Sequence, residues 1–429
     1  MGTSVIEQYR ELETTLLSLI GPVQWGGDIH MKLGRIARLL ELLGNPHYRY
    51  RSVHVGGTSG KGTTAVLTAH LLQQMGYKTA LHVSPHVQLF NERVQINGRL
   101  APTSKLFTLL QTIKPLVEQV GRESPYGNLT YFEIQAALAF AYFAQEQVDV
   151  AVVEVGLGGL LDATNVLPAE VAVLTNVGLD HTEVLGETVE LIAEQKVGIF
   201  KPGQQVITAV SQPTVRQIAA DRCRDLGATL HQIEPGHTFQ DTNRACAAAA
   251  AAALAGRPVP DNANWEIPLP ARLELMQTSP TVILDGAHNP DKIRATAHAV
   301  HTRYPDAAPI IVFAAKAGKD VADMLPYLLP NAKAFVASQF SPKGLWKAIS
   351  AEELTAVVHH LAPGLPVYME SEPLTAVRLA LSLAQPTDLI WITGSLYFAG
   401  DAREQWYPLE WLVEQAEMGL SGSLLPGKQ

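Results

Sequence analysis

Cysteine is nearly missing from this 429-residue chain: only Cys223 and Cys246 occur. Two cysteines cannot build a disulfide framework. Both fall inside helical patterns, so they read as small core residues of a protein kept in a reducing compartment. Charge is sparse too, at 17% of residues, and 32 Lys and Arg are outnumbered by 41 Asp and Glu. The formal net charge of −9 argues against nucleic acid as a partner. It leaves room for small anions, because a cleft can be locally positive on an acidic protein. No apolar run is long enough to cross a bilayer, and the longest, Ala245–Ala255, reads as a packed alanine-rich helix. Glu7, Arg10, Glu11 and Glu13 stand where a secretory leader would be apolar. What remains is a cytosolic globular chain, read as a monomer, with neither nucleic acid nor membrane as partner.

Hydrophobic residues make up 47% of the chain, and its length is more than one core normally holds, so two domains are expected. Near-continuous apolar runs at 148–155 and 171–177 suit parallel strands buried on both faces. Shorter strands are expected at 78–84 and 205–210, with an edge strand at 94–97. Helical spacing covers 5–20, 31–43, 103–119, 130–146 and 187–200, with a loop at Trp25–Asp28. A Pro- and Gly-rich linker over 256–270 precedes a second alternation, with strands near 281–285, 309–315, 332–337, 366–369 and 388–393. The fold class expected is α/β. A P-loop, doubly wound parallel-sheet domain over residues 1–268 leads into a smaller Rossmann-like α/β domain over 269–429. Ligands should sit beyond the carboxyl ends of the strands, with the second domain offering a half-site across a cleft from the first.

The chain is organised around Gly57-Thr58-Ser59-Gly60-Lys61-Gly62-Thr63, which follows the β-branched run Val53–Val55 and opens a helical pattern. Strand, glycine turn and helix in that order cradle phosphate: backbone N–H groups converge and the helix N-terminus adds partial positive charge. Lys61 can reach the β/γ-phosphates and the Thr63 hydroxyl can ligate Mg²⁺. The spacing is a variant of G-x-x-x-x-G-K-[ST], with Gly62 set between Lys61 and Thr63.

Glu154 closes the next buried run, and Asp180-His181 follow the one after it. A carboxylate at a strand end beside a phosphate loop is well placed for Mg²⁺, and the combination suggests phosphoryl transfer with one or two metal ions. Arg272, just past the linker, is a candidate fork for phosphate or carboxylate. Lys196, taken alone, reads as a solvated lysine on a helix face.

The phosphate loop resembles that of the Mur ligase superfamily of ATP-dependent amide-bond ligases. So do Ser84-Pro85-His86, Glu154–Gly159, Leu161-Asp162-Ala163-Thr164-Asn165, Gly178–His181, Arg272-Leu273-Glu274 and Asp285–Pro290. With Gly394-Ser395-Leu396-Tyr397 they are similar to the folylpolyglutamate synthase/dihydrofolate synthase family, in order from about residue 25 to 403. The resemblance implies that Gly57, Thr58, Gly60, Lys61, Gly62 and Thr63 cradle ATP, with Asn243, Arg272 and Asp285 also at the nucleotide. Thr63, Ser84, Glu154 and His181 would serve two Mg²⁺ sites, and Lys196 would be carbamylated. His288 and Ser395 would lie near the incoming L-glutamate, and Lys61, Lys196, Asp285 and His288 would carry the catalysis. A pterin or folate would rest by Thr130-Tyr131-Phe132-Glu133 and Leu161-Asp162-Ala163, where an aromatic wall suits a flat heterocycle.

Three segments depart from the family pattern: His30-Met31-Lys32-Leu33-Gly34-Arg35, Leu160, and Ser341–Lys347. They bear on substrate range more than on reaction, and leave open whether the enzyme is bifunctional or restricted to one activity. A cell-wall Mur ligase proper would need a UDP-sugar domain ahead of the loop, where only about fifty residues stand. A non-catalytic nucleotide binder would not need Glu154, His181 and Lys196.

Overall fold

The computed structural model describes residues 3–20, 29–125, 127–342 and 347–419. The expected loop at Trp25–Asp28, the side chains of His30, Met31 and Lys32, and Lys343–Trp346 lie outside the described residues.

Two compact units are present, and the chain passes from the first to the second between Ile267 and Pro268. Val87–Leu89 belongs to the second unit and a segment beginning at Val413 to the first. The first unit holds strands β1 (Arg51–Gly56), β2 (Thr79–His82), β3 (Val94–Ile96), β4 (Arg99–Leu100), β5 (Val150–Glu154), β6 (Val171–Leu174), β7 (Gln205–Thr208) and β8 (Thr229–Gln232). Its helices are α1 (Val5–Ser18), α2 (Ile29–Leu42), α3 (Lys61–Gln74), α4 (Thr103–Glu123), α5 (Tyr131–Gln145), α6 (Thr182–Leu185), α7 (Val189–Val197), α8 (Pro213–Leu226) and α9 (Phe239–Ala255).

These strands form one sheet in the order β4-β3-β2-β5-β1-β6-β7-β8, antiparallel only at β3 and β4. The edge is β4, not β3: Asn97 and Gly98 both take positive φ (49° and 70°), the geometry of a tight primed turn, and fold a short hairpin beyond β3. β1, β5 and β6 are almost wholly buried, as strands covered on both faces must be. On one face α3 packs against α9, where Ala247, Ala250 and Ala251 bring the two helices close around Leu71 and Leu72. The thiols of Cys223 and Cys246 are buried core groups, pushed up by burial to about 11 and about 12. No described helix is long and apolar enough to cross a membrane.

The second unit contains β9 (Glu274–Thr278), β10 (Thr281–Leu284), β11 (Ile310–Phe313), β12 (Ala334–Ala337), β13 (Val367–Met369) and β14 (Leu389–Thr393). Their order is β13-β12-β11-β14-β10-β9, with β9 alone antiparallel. Helices α10 (Pro290–Arg303), α11 (Val321–Met324), α12 (Ala351–Leu361) and α13 (Pro373–Leu383) connect them, and α14 (Leu396–Arg403) follows β14.

Candidate active site

Register sets the candidate site of the first unit. In the parallel pairing Val55 stands opposite Glu154 and Gly56 opposite Leu174. The phosphate loop, Glu154 and the Thr175–His181 segment therefore leave three adjacent strands at one level. Gly57 has φ 144°, and a Cβ there would strike the Thr175 hydroxyl, so only glycine fits. Thr58 and Ser59 donate their N–H groups to the Asn176 side chain, and the Thr58 hydroxyl bridges to Gly178. This stitching fixes the loop to β6 and leaves the first-turn amides of α3, at Lys61, Gly62 and Thr63, without intrahelical acceptors. Such amides are what an anion needs. Gly60, the N-cap at φ 79°, carries Asn243 against it: a Cβ there would meet the Asn243 amide.

Glu154 is buried, 6% exposed, and its carboxylate accepts the Ser84 N–H at 2.9 Å. A Cβ on Gly62 would lie 3.3 and 3.4 Å from the two carboxylate oxygens, so Glu154 faces the first turn of α3. A carboxylate flanked by the Thr63 and Ser84 hydroxyl residues is a hard oxygen donor set that fits Mg²⁺. His181 lies in the loop after β6, with its backbone left-handed (φ 52°) and its ring half exposed between Asp180 and Glu183. Among the described residues no three His, Cys, Asp or Glu side chains cluster tightly enough to hold a metal unaided. Lys196 is not the solvated lysine its helix pattern suggests. It is 4% exposed and donates to the Gly57 carbonyl at 3.0 Å.

Thr130 and Glu133 form a capping box that starts α5, and the Glu133 carboxylate also accepts a fork from Nε and Nη2 of Arg35, each at 3.2 Å. The first turn so fixed presents Tyr131 and Phe132, both half-buried. Phe132 packs onto the turn after Glu154: a Cβ on Gly156 would sit 2.6 Å from its ring and 3.0 Å from Asp162 Oδ2. Leu161 is half-buried, while Asp162 and Ala163 are buried. Asp162 accepts the Leu157 and Thr164 N–H groups and the Thr164 hydroxyl. Burial pushes its carboxyl up, against the pull of those hydrogen bonds.

In the second unit, Asp285 accepts N–H groups from Leu273 and Ala287, and Gly394 donates to the Ala287 carbonyl. Arg272, Asp285, His288 and Ser395 are thereby gathered at one end of the sheet. Burial raises the Asp285 carboxyl while the Arg272 guanidinium draws it down. Arg272 stands between two non-glycine residues with positive φ, Ala271 (52°) and Leu273 (50°), a strained turn of the kind that aims a functional side chain. The Lys292 ammonium lies 3.0 Å from His288 Nε2 and can only donate, so Nε2 accepts and Nδ1–H donates to the Gly286 carbonyl at 2.8 Å. Ser395 caps α14.

The pattern of glycines and carboxylates did not mark Asn176, Arg35 or Lys292. The first could have been suspected from an amide residue at the end of the strand beside the loop.

Residues 55–230 match the Mur ligase middle domain and residues 271–396 the Mur ligase glutamate ligase domain. The dihydrofolate synthase/folylpolyglutamate synthase of Bacillus subtilis is 32% identical over 416 residues, covering 87% of this chain and 94% of the relative. The folylpolyglutamate synthase of Lacticaseibacillus casei is 34% identical over 86% of this chain and 93% of its own length. Among solved structures, Mycobacterium tuberculosis folylpolyglutamate synthase complexed with ADP and AMPPCP superposes with a TM-score of 0.84 at 27% identity, covering 94% of this chain and 99% of the other. Escherichia coli FolC in complex with DHPP and ADP gives 0.79 at 28%, over 92% and 97%.

Fold and site together define an ATP-dependent ligase of the Mur type. Within that class the chain belongs to the folylpolyglutamate synthase/dihydrofolate synthase family.

Proposed function

We propose that this enzyme joins the amine of L-glutamate to a pterin-linked carboxylate, that of dihydropteroate or the γ-carboxylate of a (tetrahydro)folate, through an acyl phosphate. The observation that carries the reading is the buried Glu154 carboxylate facing the first turn of α3 beside Ser84.

A carboxylate does not react with an amine in water and must first be activated. The pterin-linked carboxylate attacks the γ-phosphate of ATP in line, giving the acyl phosphate and ADP. The α3 amides and Lys61 stabilise the charge that grows on the transferring group. Glu154, Thr63 and Ser84 would hold Mg²⁺ at one site, with His181 and a carbamylated Lys196 serving a second. Bound Mg²⁺ supplies further neutralisation of the phosphoryl oxygens. The Phe132 ring and the Gly156–Ala163 loop seat the flat heterocycle, while Asn243, Arg272 and Asp285 attend the nucleotide. The glutamate amine then attacks the acyl carbon and phosphate leaves. His288, its two ring nitrogens engaged by Gly286 and Lys292, lies near the incoming glutamate with Ser395 beside it.

The test is to incubate the protein with MgATP, L-glutamate and either dihydropteroate or a tetrahydrofolate, scoring ADP and the added glutamyl mass for each. The two arms also separate a bifunctional enzyme from one restricted to a single activity. Lys61→Ala should lower turnover about a hundred- to thousand-fold with the fold intact. Wild-type rates in that variant would overturn the scheme.

A further inference from the structure

β1 does more than lead into the phosphate loop. Its central residue, His54, has no exposed surface and is one residue away from Val55, the partner of Glu154 in the sheet. His54 Nε2 lies 2.7 Å from the Thr164 hydroxyl oxygen. That hydroxyl is in turn hydrogen-bonded to Asp162 Oδ1, which can only accept while ionised. The Thr164 proton is therefore committed to Asp162, and the bond from His54 must be Nε2–H donating to Thr164. Nδ1 is left bearing its lone pair, buried and without a hydrogen-bond partner. Burial, with the Lys201 ammonium nearby, holds the imidazole down to about 3, so it stays neutral and keeps this tautomer across the working pH range.

The far end of the chain of bonds is the loop that would seat the heterocycle. Asp162 spends its oxygens on the Leu157 and Thr164 amides, and Gly156 is pressed between Asp162 and the Phe132 ring. Moving Asp162 would move the Gly156–Leu157 turn and the aromatic wall with it.

We infer that His54 is a positioning residue for the pterin substrate: through Thr164 it fixes Asp162, and through Asp162 it fixes the Gly156–Ala163 loop against Phe132. This rests on the proposed function for the identity of the substrate, but not for the existence of the relay. His54 spends an uncompensated buried nitrogen on the arrangement, a cost that a leucine or valine in the same strand would not carry.

Thr164→Val severs the relay at its middle link, and Thr164→Ser restores it. His54→Ala removes the donor, and His54→Gln offers an amide N–H in its place. Two measurements read the result. Amide hydrogen exchange at Leu157 and Thr164, taken with no substrate present, should accelerate at least tenfold in Thr164→Val and His54→Ala, and stay near wild type in the Ser and Gln variants. In steady-state assays the same two disruptive variants should raise KM for the pterin acid about tenfold, with KM for MgATP within twofold of wild type. Unchanged exchange in Thr164→Val overturns the relay, and so does an equal rise in both KM values, which would mark a general loosening of the domain. A wild-type enzyme that released no ADP with any pterin acid would overturn the proposed function, and the relay would then stand or fall on the exchange rates alone.

Discussion

The buried ammonium of Lys196, on α7, donates to the carbonyl of Gly57, the residue that opens the phosphate loop. α7 is also locked onto the turn after Glu154, since Leu160 donates to the Gln195 carbonyl and a Cβ on Gly159 would lie 2.6 Å from that oxygen. A lysine so placed joins two strand ends. As a carbamate it would keep one N–H for Gly57 and turn a carboxylate toward the proposed metal site. Lys196→Met should lower turnover by about a hundredfold or more, as the loss of one preorganised electrostatic group does. With carbon-13 bicarbonate the wild type should show a carbamate resonance that the variant lacks. A wild-type spectrum without it would leave Lys196 acting as an ammonium.

Gly60 tests the nucleotide cradle separately from the chemistry. At φ 79° an alanine is strained by about 1–3 kcal/mol, and its Cβ would strike Asn243. Gly60→Ala should raise KM for MgATP at least tenfold and lower the melting temperature. Adding Asn243→Ala removes the collision but not the backbone strain, so the double variant should recover only part of the lost melting temperature, while KM for MgATP stays raised because the Asn243 amide is gone as well. Full recovery would mean that contact alone, and not conformation, demands glycine there.

Much of this was legible before any coordinates. Apolar runs such as Val150–Val153 can be little else than covered parallel strands, and the glycines of the loop announce a backbone that must approach a ligand. β8 and β9 escaped because neither shows the apolar alternation that marks a half-buried strand: Thr229–Gln232 is mostly exposed and polar, and Glu274–Thr278 buries a carboxylate, Glu274, while exposing Leu275. Lys196 was misjudged from its helix pattern because helical periodicity reports one helix face and not what a neighbouring strand end brings against it. The relay from His54 to Asp162 spans more than a hundred residues of sequence, a distance at which no local pattern carries information.

Within the second unit, Arg403 and Glu274 form a buried bidentate pair, 4% and 1% exposed, and Glu274 also accepts the Ala271 N–H. That carboxylate thus pins the strained turn that aims Arg272. Breaking a buried pair by removing one partner leaves an uncompensated charge, so Arg403→Met should cost about 3–5 kcal/mol in urea unfolding. The double variant Arg403→Met/Glu274→Leu should regain much of that stability while leaving the Arg272 turn unheld. Its KM for MgATP should therefore remain raised after stability has returned. Recovery of both together would detach Arg272 from this pair.

Three buried histidines set an acid limit on the first unit. His47 is held down to about 4 by burial, His82 to about 4 by burial with the Arg93 guanidinium adding to it, and His54 to about 3 by burial with the Lys201 ammonium adding to it. Unfolded, each would take up a proton near 6.5; folded, none does so until far lower. The stability they lend is therefore complete above pH 6.5 and is lost as pH falls below it toward the folded values. From pH 7 to pH 5 the three together should remove about 5–6 kcal/mol, with unfolding at pH 5 taking up nearly three protons through them. Chemical unfolding across that window checks the size, and calorimetry in buffers of differing ionisation enthalpy checks the protons. His47 already packs on Tyr48 and Phe140, with ring centroids 4.1 and 6.4 Å away, so His47→Phe should keep the packing and discard one titration. That variant should show about two-thirds of the acid sensitivity and take up one proton fewer. An unaltered pH profile would locate the proton uptake elsewhere in the chain.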